Sequence, residues 1–280
     1  MRIANESELL AGVSTTLPNV DQALVLAPHP DDEVFGCGGT ICLLRKAGVR
    51  VEVHIVTDGS LGGESPGGPL SKVRAKESRN ALKALGLLKP TFWGLPDRGL
   101  CYGEPLISRI LKTVESTGAD LIFLPSPAEL HPDHQVLAFS GLEALRRLGG
   151  ERKVAFYELS SPLSNPNLFV NISAVAKRKQ RAMECFHTQL AEQPYVERIS
   201  GLNAFRSYSL GAEVTSAEAF VLMEVTALHD AQSILLGGSS TYRNKLGFAA
   251  SGEDLPLVSI VVRSMAPLSL DMTLDSIATQ

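Results

Sequence analysis

From residue 22 onward the sequence alternates short apolar runs with amphipathic stretches of helical period. This alternation constrains the fold more than any other feature of the chain. The apolar runs have the length of buried strands, and the stretches between them are long enough to cross from one parallel strand to the next. The pattern is typical of stacked β-α-β units around a mainly parallel sheet.

The fold predicted from this pattern is α/β, with a Rossmann-like, doubly wound, mainly parallel sheet. The pattern predicts strands over 23–27, 51–56, 91–95, 121–124 and 154–159, and helices over 39–47, 72–85, 106–116 and 135–148. After residue 160 the alternation weakens. There we expect a helix over 174–189, an apolar run at 219–225 and a smaller C-terminal cap region.

The composition and net charge of the chain limit the kinds of partner that it can bind. The chain has 280 residues, of which 44% are hydrophobic and 20% charged, with a net charge of -4. No basic patch suits nucleic acid, so we expect a small neutral or weakly charged partner. The four cysteines form no C-x-x-C pair, and neither a signal peptide nor an apolar run of membrane-spanning length is visible. These features favour a reducing, cytoplasmic location.

A Gly/Pro-rich stretch at 61–69 follows the second predicted strand. Such a composition is incompatible with regular structure and is typical of a loop. Because the loop follows a strand, we expect it at the edge of the sheet where ligands bind. We predict that it is a mobile lid over that edge.

Two tetrads of His, Pro and Asp lie at or just beyond the ends of apolar strands. Tetrad 29–32 reads His-Pro-Asp-Asp, and tetrad 131–134 reads His-Pro-Asp-His. Each proline biases the preceding histidine towards extended geometry, which holds that histidine near a strand end. Ligands of open α/β sheets bind beyond the carboxyl ends of the strands, so we expect the two tetrads to converge on one point.

The residue types in the tetrads suit a metal-dependent hydrolase. A catalytic zinc has three protein ligands, commonly imidazole and carboxylate, and keeps a fourth position open. His29, Asp32 and His134 supply that set, with another divalent metal as the alternative to zinc. Asp31 is the expected general base, and His131 is placed to stabilise an oxyanion or to protonate the departing amine. The chemistry indicated is hydrolysis of an amide.

The alternative to a catalytic site is that each tetrad only forms a turn. A single His-Pro-Asp tripeptide is typical of a turn closed by an Asx hydrogen bond. Two tetrads, each near the end of an apolar strand, favour a catalytic site instead. Asp133 is expected to orient His131 from behind. His54 and His187 have no neighbours at ligand spacing, so we expect core or surface roles for them.

The string A-P-H-P-D-D-E-x-x-G-x-G-G at 27–39, with T-D-G at 57–59 and the later H-P-D-H, closely resembles the LmbE-like, or PIG-L, N-acetylglucosaminyl deacetylases. The resemblance covers roughly residues 22–225. It implies zinc on His29, Asp32 and His134, with Asp31 as base and His131 as auxiliary residue. It further implies that the substrate is an N-acetylated sugar or glycoconjugate, from which acetate is released.

The same resemblance extends to residues outside the tetrads. Arg74 and Asp97 match family positions that line the sugar pocket. Arg74 and Glu77, spaced i, i+3, equally suit a surface ion pair, and Asp97 could cap a turn. Glu129, two residues before His131, stands where some relatives have an aromatic residue. We therefore expect the contact made by that aromatic residue to be missing.

The last part of the chain carries a second, short resemblance. Residues 255–280 resemble the opening strand and helix of a family-2 glycosyltransferase. We therefore expect a deacetylase domain at 1–246, a linker at 247–254 and the start of a covalently linked glycosyltransferase-like domain at 255–280. The alternative is a last strand and helix of the first domain.

The sequence is compatible with three functions. The first is removal of the acetyl group from an N-acetylated sugar, and the second is hydrolysis of another sugar amide conjugate by the same metal chemistry. The third is a noncatalytic sugar-binding module joined to a transferase. Because the whole metal and base set is present, the sequence favours an enzyme. An assembly of identical chains is left open.

Overall fold

The computed structural model describes residues 14–64, 68–87 and 89–230. Within these residues the strands form a seven-stranded sheet in the order β3-β2-β1-β4-β5-β7-β6. The strands are β1 (Gln22–Ala27), β2 (Arg50–Thr57), β3 (Thr91–Leu95), β4 (Leu121–Pro125), β5 (Lys153–Tyr157), β6 (Leu168–Asn171) and β7 (Ala217–Glu224). The α-helices are α1 (Asp32–Lys46), α2 (Leu70–Leu85), α3 (Glu104–Thr117), α4 (Pro132–Leu148), α5 (Ala176–Met183), α6 (His187–Glu192) and α7 (Tyr195–Ser207).

The pairing of the strands confirms the predicted α/β fold. Strands β1 to β5 pair in parallel, whereas β7 runs antiparallel to both β5 and β6. The strand order reverses between β1 and β4, which lie side by side. This switch point is where α/β sheets form a crevice, and the two tetrads follow these two strands.

The sheet is covered on both faces. Strand β1 shows this best, because all of its apolar residues are fully buried and successive side chains point to opposite faces. Ala23 and Val25 pack into a cluster with residues of α1, α2 and α5. Leu24 and Leu26 pack into a second cluster with residues of α3 and α4. Burial on both faces explains why the strand is an unbroken apolar run.

Helix α1 begins at Asp32 instead of at the predicted residue 39. Glycine is unfavourable inside a helix, and Gly36, Gly38 and Gly39 all lie in the first half of α1. The structure shows why these glycines are tolerated. A Cβ atom at Gly36 would lie 2.5 Å from the ring of Tyr157, and one at Gly39 would lie 2.6 Å from Ile172. The glycines let the first half of α1 approach its neighbours closely.

A buried ion pair contacts the middle of α1. Lys179 of α5 and Glu218 of β7 are both about 1% exposed, with 2.7 Å between Nζ and Oε1. Glu218 accepts the backbone N–H groups of Gly39 and Thr40, each at 2.7 Å, and Lys179 donates to the carbonyl of Phe35, also at 2.7 Å. The pair thus ties α1 to the C-terminal part of the fold.

The predicted helix over 174–189 is divided in two. Helix α5 ends at Met183 and α6 begins at His187, because the chain turns at Phe186. This turn buries the Phe186 ring, which meets the ring of Phe35 edge-to-face at a centroid distance of 5.5 Å. It also brings α6 towards α2 and the loop after β2.

Part of the Gly/Pro-rich loop at 61–69 is anchored. The backbone N–H of Leu61 donates to Asp97 at 2.9 Å, and the carbonyl of Gly62 accepts from Gln189 at 2.8 Å. Residues 65–67 lie outside the described part of the chain, and the lid stays a prediction. The linker at 247–254 and the glycosyltransferase-like segment at 255–280 also lie outside the described residues.

The structure also describes the cysteines and the apolar character of the helices. Cys37, Cys42, Cys101 and Cys185 are all free thiols, so none of them forms a disulfide framework. Among the described residues, no helix has the length and apolar character needed to cross a bilayer.

Candidate active site

Three side-chain atoms from the two tetrads form an equilateral triangle. His29 Nδ1, Asp32 Oδ2 and His134 Nε2 are 3.2 Å apart in each pair. Tetrahedral zinc binds nitrogen and oxygen ligands at about 2.0–2.2 Å, which corresponds to roughly 3.3–3.5 Å between two ligand atoms. The triangle therefore has the size of one face of a tetrahedral zinc site. The donor set, two imidazoles and one carboxylate, fits a divalent metal.

Wider groups of donor atoms exist around this triangle. His29, His131 and His134 form one group whose donor atoms lie within 4.8 Å of one another, and His29, Asp97, His131 and Asp133 form a second. The 3.2 Å triangle has the spacing that ligands of one tetrahedral ion show, and the other donor residues lie around it.

The fold positions the three donors at the switch point of the sheet. His29 lies between β1 and α1, Asp32 is the first residue of α1, and His134 lies in the first turn of α4. The Asp32 carboxylate also accepts the backbone N–H of His29 at 2.9 Å. That bond fixes the carboxylate beside the imidazole. All three side chains are buried, with 6–7% of each residue exposed.

Charge at this cluster favours a cation. Burial works against a protonated His29, yet the carboxylates of Asp133, Asp32 and Asp97 raise the pKa of His29 well above its ordinary value. Burial likewise opposes ionisation of Asp32, but the rings of His134 and His29 hold the pKa of Asp32 well below its usual range. A divalent ion would compensate the same buried carboxylates.

Asp133 and Asp97 both face the outer nitrogen of His29. His29 Nε2 lies 3.1 Å from Asp133 Oδ2 and 3.3 Å from Asp97 Oδ1. A proton held on Nε2 by these carboxylates leaves the Nδ1 lone pair free for a metal. Asp97 was expected to line the sugar pocket, and it does line the cavity of the site. Asp133 was expected to orient His131, but its carboxylate lies against His29, because the loop after β3 closes over the start of α4.

The loop after β3 also fixes the carboxylate of Asp133. Arg98 donates its backbone N–H to Asp133 Oδ2 at 2.7 Å, and Leu100 donates to Oδ1 at 3.2 Å. Arg98 has a φ of 56°, in the left-handed region that few non-glycine residues adopt. This conformation turns the amide of Arg98 towards Asp133. No sequence signal pointed to this backbone contact.

Asp31, the predicted base, has a strained backbone. Its φ is 142°, which is rare for a residue with a Cβ atom, and such outliers concentrate at functional sites. Its N–H donates to the Glu33 carboxylate at 2.9 Å, and its Oδ2 accepts from Arg74 Nη2 at 3.0 Å. Burial raises the pKa of Asp31 to about 7, while the guanidinium of Arg74 acts in the opposite direction.

Arg74 holds the loop that carries the base. It is buried, and besides Asp31 it donates to the carbonyls of Pro30 at 3.0 Å and Gly59 at 2.9 Å. The surface ion pair with Glu77 is absent, because Glu77 instead accepts the backbone N–H and hydroxyl of Thr188 at 3.0 and 2.6 Å. Arg74 lines the cavity as predicted, but its hydrogen bonds go to the base and its loop.

His131 is oriented by the helix that it caps. Its Nδ1 accepts the backbone N–H of Asp133 at 3.1 Å, at the start of α4. A neutral ring that accepts at Nδ1 carries its proton on Nε2. Burial, together with His29 and His134, lowers the pKa of His131, which favours that neutral form. His131 is thus a half-buried donor at the wall of the cavity.

The site opens into a cavity of about 760 Å³, towards the upper end of the usual range for small-molecule sites. The predicted residues His29, Asp31, Asp32, His131 and His134 line its floor. The sequence analysis named none of the residues that form the walls, which are Gln189 of α6, the α7 residues Tyr195, Arg198, Ile199 and Leu202, and Leu130, Leu159, Ser160 and Pro162. The α7 residues were missed because the alternation after residue 160 is weak, and the others because they carry no motif.

Part of the chain matches a known protein family. Residues 24–145 match the PIG-L family, described as GlcNAc-PI de-N-acetylase. This segment begins in β1 and ends in α4, so it contains both tetrads. Over this segment, which is 122 of the 280 residues, the chain is similar to the PIG-L deacetylases.

Individual relatives agree with the family match. The diacetylchitobiose deacetylase of Thermococcus kodakarensis is 29% identical over 222 residues, which cover 69% of this chain and 82% of the relative. A protein of Bacillus cereus, described as a probable N-acetyl-alpha-D-glucosaminyl L-malate deacetylase 2, is 26% identical over 181 residues, covering 59% and 82%.

Solved structures extend the similarity to the fold. The N,N'-diacetylchitobiose deacetylase of Pyrococcus horikoshii superposes with a TM-score of 0.67 at 25% identity, covering 74% of this chain and 85% of that one. The conserved protein TT1542 of Thermus thermophilus gives 0.65 at 28% identity, covering 72% and 94%. The hydratase GalB gives 0.63 at 20% identity, covering 72% and 96%, and shows the shared fold alone.

Proposed function

We propose that this protein is a zinc-dependent deacetylase that hydrolyses the N-acetyl amide of an N-acetylglucosamine-type sugar or glycoconjugate. The observation that carries the proposal is the 3.2 Å triangle of His29, Asp32 and His134 on the floor of a cavity that Asp31 also lines. The relatives named above as sugar deacetylases support the acetylated sugar as substrate class.

The proposed roles follow from the contacts of each residue. When bound, the metal supplies Lewis acidity towards water and the amide carbonyl. Asp31, oriented by Arg74, accepts a proton from the attacking water and returns it to the amide nitrogen as the C–N bond breaks. His131 donates from Nε2 to the carbonyl oxygen as that oxygen gains charge. Water and the amide are thereby converted into acetate and a free amine.

The residues around this set have supporting roles. Asp133 and Asp97 hold the proton of His29 on Nε2, away from the metal side of the ring. The hydrogen bonds of Arg74 to Pro30 and Gly59 keep the strained Asp31 loop in place. Asp133 and Asp97 thus support a residue that holds the metal, whereas Arg74 supports the residue that moves a proton.

The test is product formation on a defined panel. Purified zinc-loaded protein is incubated with N-acetylglucosamine, N,N'-diacetylchitobiose and an N-acetylglucosaminide with an anionic aglycone. Acetate and free amine are then quantified. We expect equal amounts of both products from at least one compound. Asp31→Asn should abolish most of the release, whereas Asp21→Asn, an exposed aspartate just before β1, should match the parent.

Two results would contradict the proposal. The first is no acetate from any panel member at full zinc occupancy. The second is release that is the same in Asp31→Asn as in the parent. Hydrolysis of another sugar amide without deacetylation would favour the second function weighed for the sequence, a metal amidase with a different acyl group.

A further inference from the structure

Glu129 is a fully buried carboxylate in the loop that leads into α4. It stands where an aromatic residue was expected from some relatives, and the proposed chemistry assigns it no role. An unpaired buried carboxylate is costly, so its contacts must compensate for the lost hydration. Among the described residues, no lysine or arginine lies within ion-pair distance of it, and the ring nitrogen Nδ1 of His134 lies 4.0 Å from its Oε2.

On one side Glu129 holds the loop after β5. Its Oε1 accepts the backbone N–H of Leu159 at 2.6 Å, and its Oε2 accepts the N–H and the hydroxyl of Ser160 at 3.0 and 2.5 Å. Leu159 and Ser160 both line the cavity. The carboxylate therefore fixes one wall of the cavity to the segment that carries the second tetrad.

On the other side Glu129 faces the outer nitrogen of His134. Oε2 lies 4.0 Å from His134 Nδ1, and this nitrogen is buried without a hydrogen-bond partner among the described residues. If Nε2 of the ring binds a metal, the ring proton must lie on Nδ1. A buried N–H without an acceptor is unfavourable, and histidine ligands nearly always donate this proton to a carboxylate, carbonyl or water.

We propose that Glu129 is a positioning residue for the metal centre, resting on the proposed role of His134 as a ligand. When the 4.0 Å separation closes by about 1 Å, its carboxylate accepts the Nδ1 proton of His134 and so keeps the Nε2 lone pair directed at the metal. Asp133 and Asp97 do the same for His29 from the opposite side of the site. Because the carboxylate also holds Leu159 and Ser160, Glu129 links the position of a metal ligand to the wall of the substrate cavity.

A purely structural role would be to hold the loop alone, and a matched pair of variants separates the two roles. Glu129→Gln keeps the size of the side chain but removes its charge. Ser160→Ala removes the hydroxyl that donates to Oε2 but keeps the charge of the carboxylate and the backbone hydrogen bonds that hold it. Zinc affinity is measured on metal-stripped protein by competition with a chromophoric chelator, and thermal unfolding of the stripped variants reports on the fold.

We expect Glu129→Gln to bind zinc roughly 10–100-fold more weakly than the parent. Ser160→Ala should stay within about twofold of the parent. Equal zinc affinity in Glu129→Gln and parent would overturn the proposal. So would equal losses in the two variants, since that would trace the effect to the loop.

An NMR measurement on the parent protein tests the proposal even if Glu129→Gln does not fold. In zinc-loaded protein labelled with ¹⁵N-histidine, we expect a slowly exchanging, downfield Nδ1 proton on His134. In Glu129→Gln this resonance should move upfield, and in Ser160→Ala it should stay. A His134 ring with no proton on Nδ1 in the zinc-loaded parent would refute the proposal.

Neither experiment needs a substrate, so their outcome is independent of acetate release. Zinc binding that depends on Glu129 in a protein that releases no acetate would refute the proposed activity and leave the role of Glu129 standing. Acetate release with zinc binding indifferent to Glu129 would do the reverse.

Discussion

Replacing the buried Lys179 of α5 by methionine tests the packing behind the site. Lys179 Nζ donates to Glu218 Oε1 and to the carbonyl of Phe35 at 2.7 Å, and to Asn203 Oδ1 at 2.9 Å. Methionine retains most of the length of the side chain and loses the charge. The substitution therefore leaves the carboxylate of Glu218 buried without its cation.

The expected cost follows from what remains around that carboxylate. Removing one partner of a buried ion pair typically costs about 3–5 kcal/mol. Glu218 keeps two hydrogen bonds from backbone N–H groups of α1, which places the expected loss near the lower end, at about 3 kcal/mol. For a domain of this size each kcal/mol lowers Tm by roughly 2–4 °C, so Tm should fall by roughly 6–12 °C.

The assay is urea denaturation in the presence of a metal chelator, so that metal binding does not contribute to the free energy of unfolding. Lys177→Met is the matched control, because Lys177 is an exposed lysine on the same helix and should change stability by less than about 0.5 kcal/mol. The double variant Lys179→Met/Glu218→Gln should recover part of the loss, since it removes the stranded charge. A loss below about 1 kcal/mol in Lys179→Met would refute the reasoning.

Three further predictions concern the site, the helix packing and the domain boundary. Asp133→Asn should weaken zinc binding about 10-fold in chelator competition, because an amide oxygen is a weaker acceptor for the outer nitrogen of the histidine ligand; unchanged affinity would argue against this contact. Gly36→Ala should destabilise the protein by about 1–3 kcal/mol in urea denaturation, because its Cβ would overlap a buried ring. Gly201→Ala, with nothing within 4 Å of the new Cβ, should instead be neutral or stabilising by up to about 1 kcal/mol, and the opposite order would contradict the packing described. A chain ending near Gly252 should keep full deacetylase activity and thermal stability if residues 255–280 belong to a second domain, and loss of either would make that segment part of the first.

The predicted strands and the convergence of the two tetrads depended on signals local in sequence. Buried parallel strands are continuous apolar runs, so the runs at 23–27 and 121–124 were recognisable without knowledge of their partners. Their neighbouring placement follows from the topology of doubly wound sheets, which bring strand ends to one edge. The residue types of tetrads 29–32 and 131–134 then indicated a metal site.

The features that the sequence analysis missed depend on contacts between distant segments. The early start of α1 is possible because Tyr157 and Ile172, far along the chain, need glycines opposite them. The role of Glu129 depends on the loop after β5, and that of Asp133 on a backbone amide of the loop after β3. No periodicity or spacing within one segment records such contacts.

In the proposed mechanism one metal on the 3.2 Å triangle and the carboxylate of Asp31 together hydrolyse an N-acetyl amide. The most direct test titrates metal-stripped protein with zinc while acetate release from the best panel substrate is followed, for the parent and for Asp31→Asn. We predict that release rises to a plateau at about one zinc per chain in the parent. Asp31→Asn should bind the same amount of zinc and release acetate about 10²–10⁴-fold more slowly. Full activity without metal, or an Asp31→Asn rate close to that of the parent, would contradict the claim.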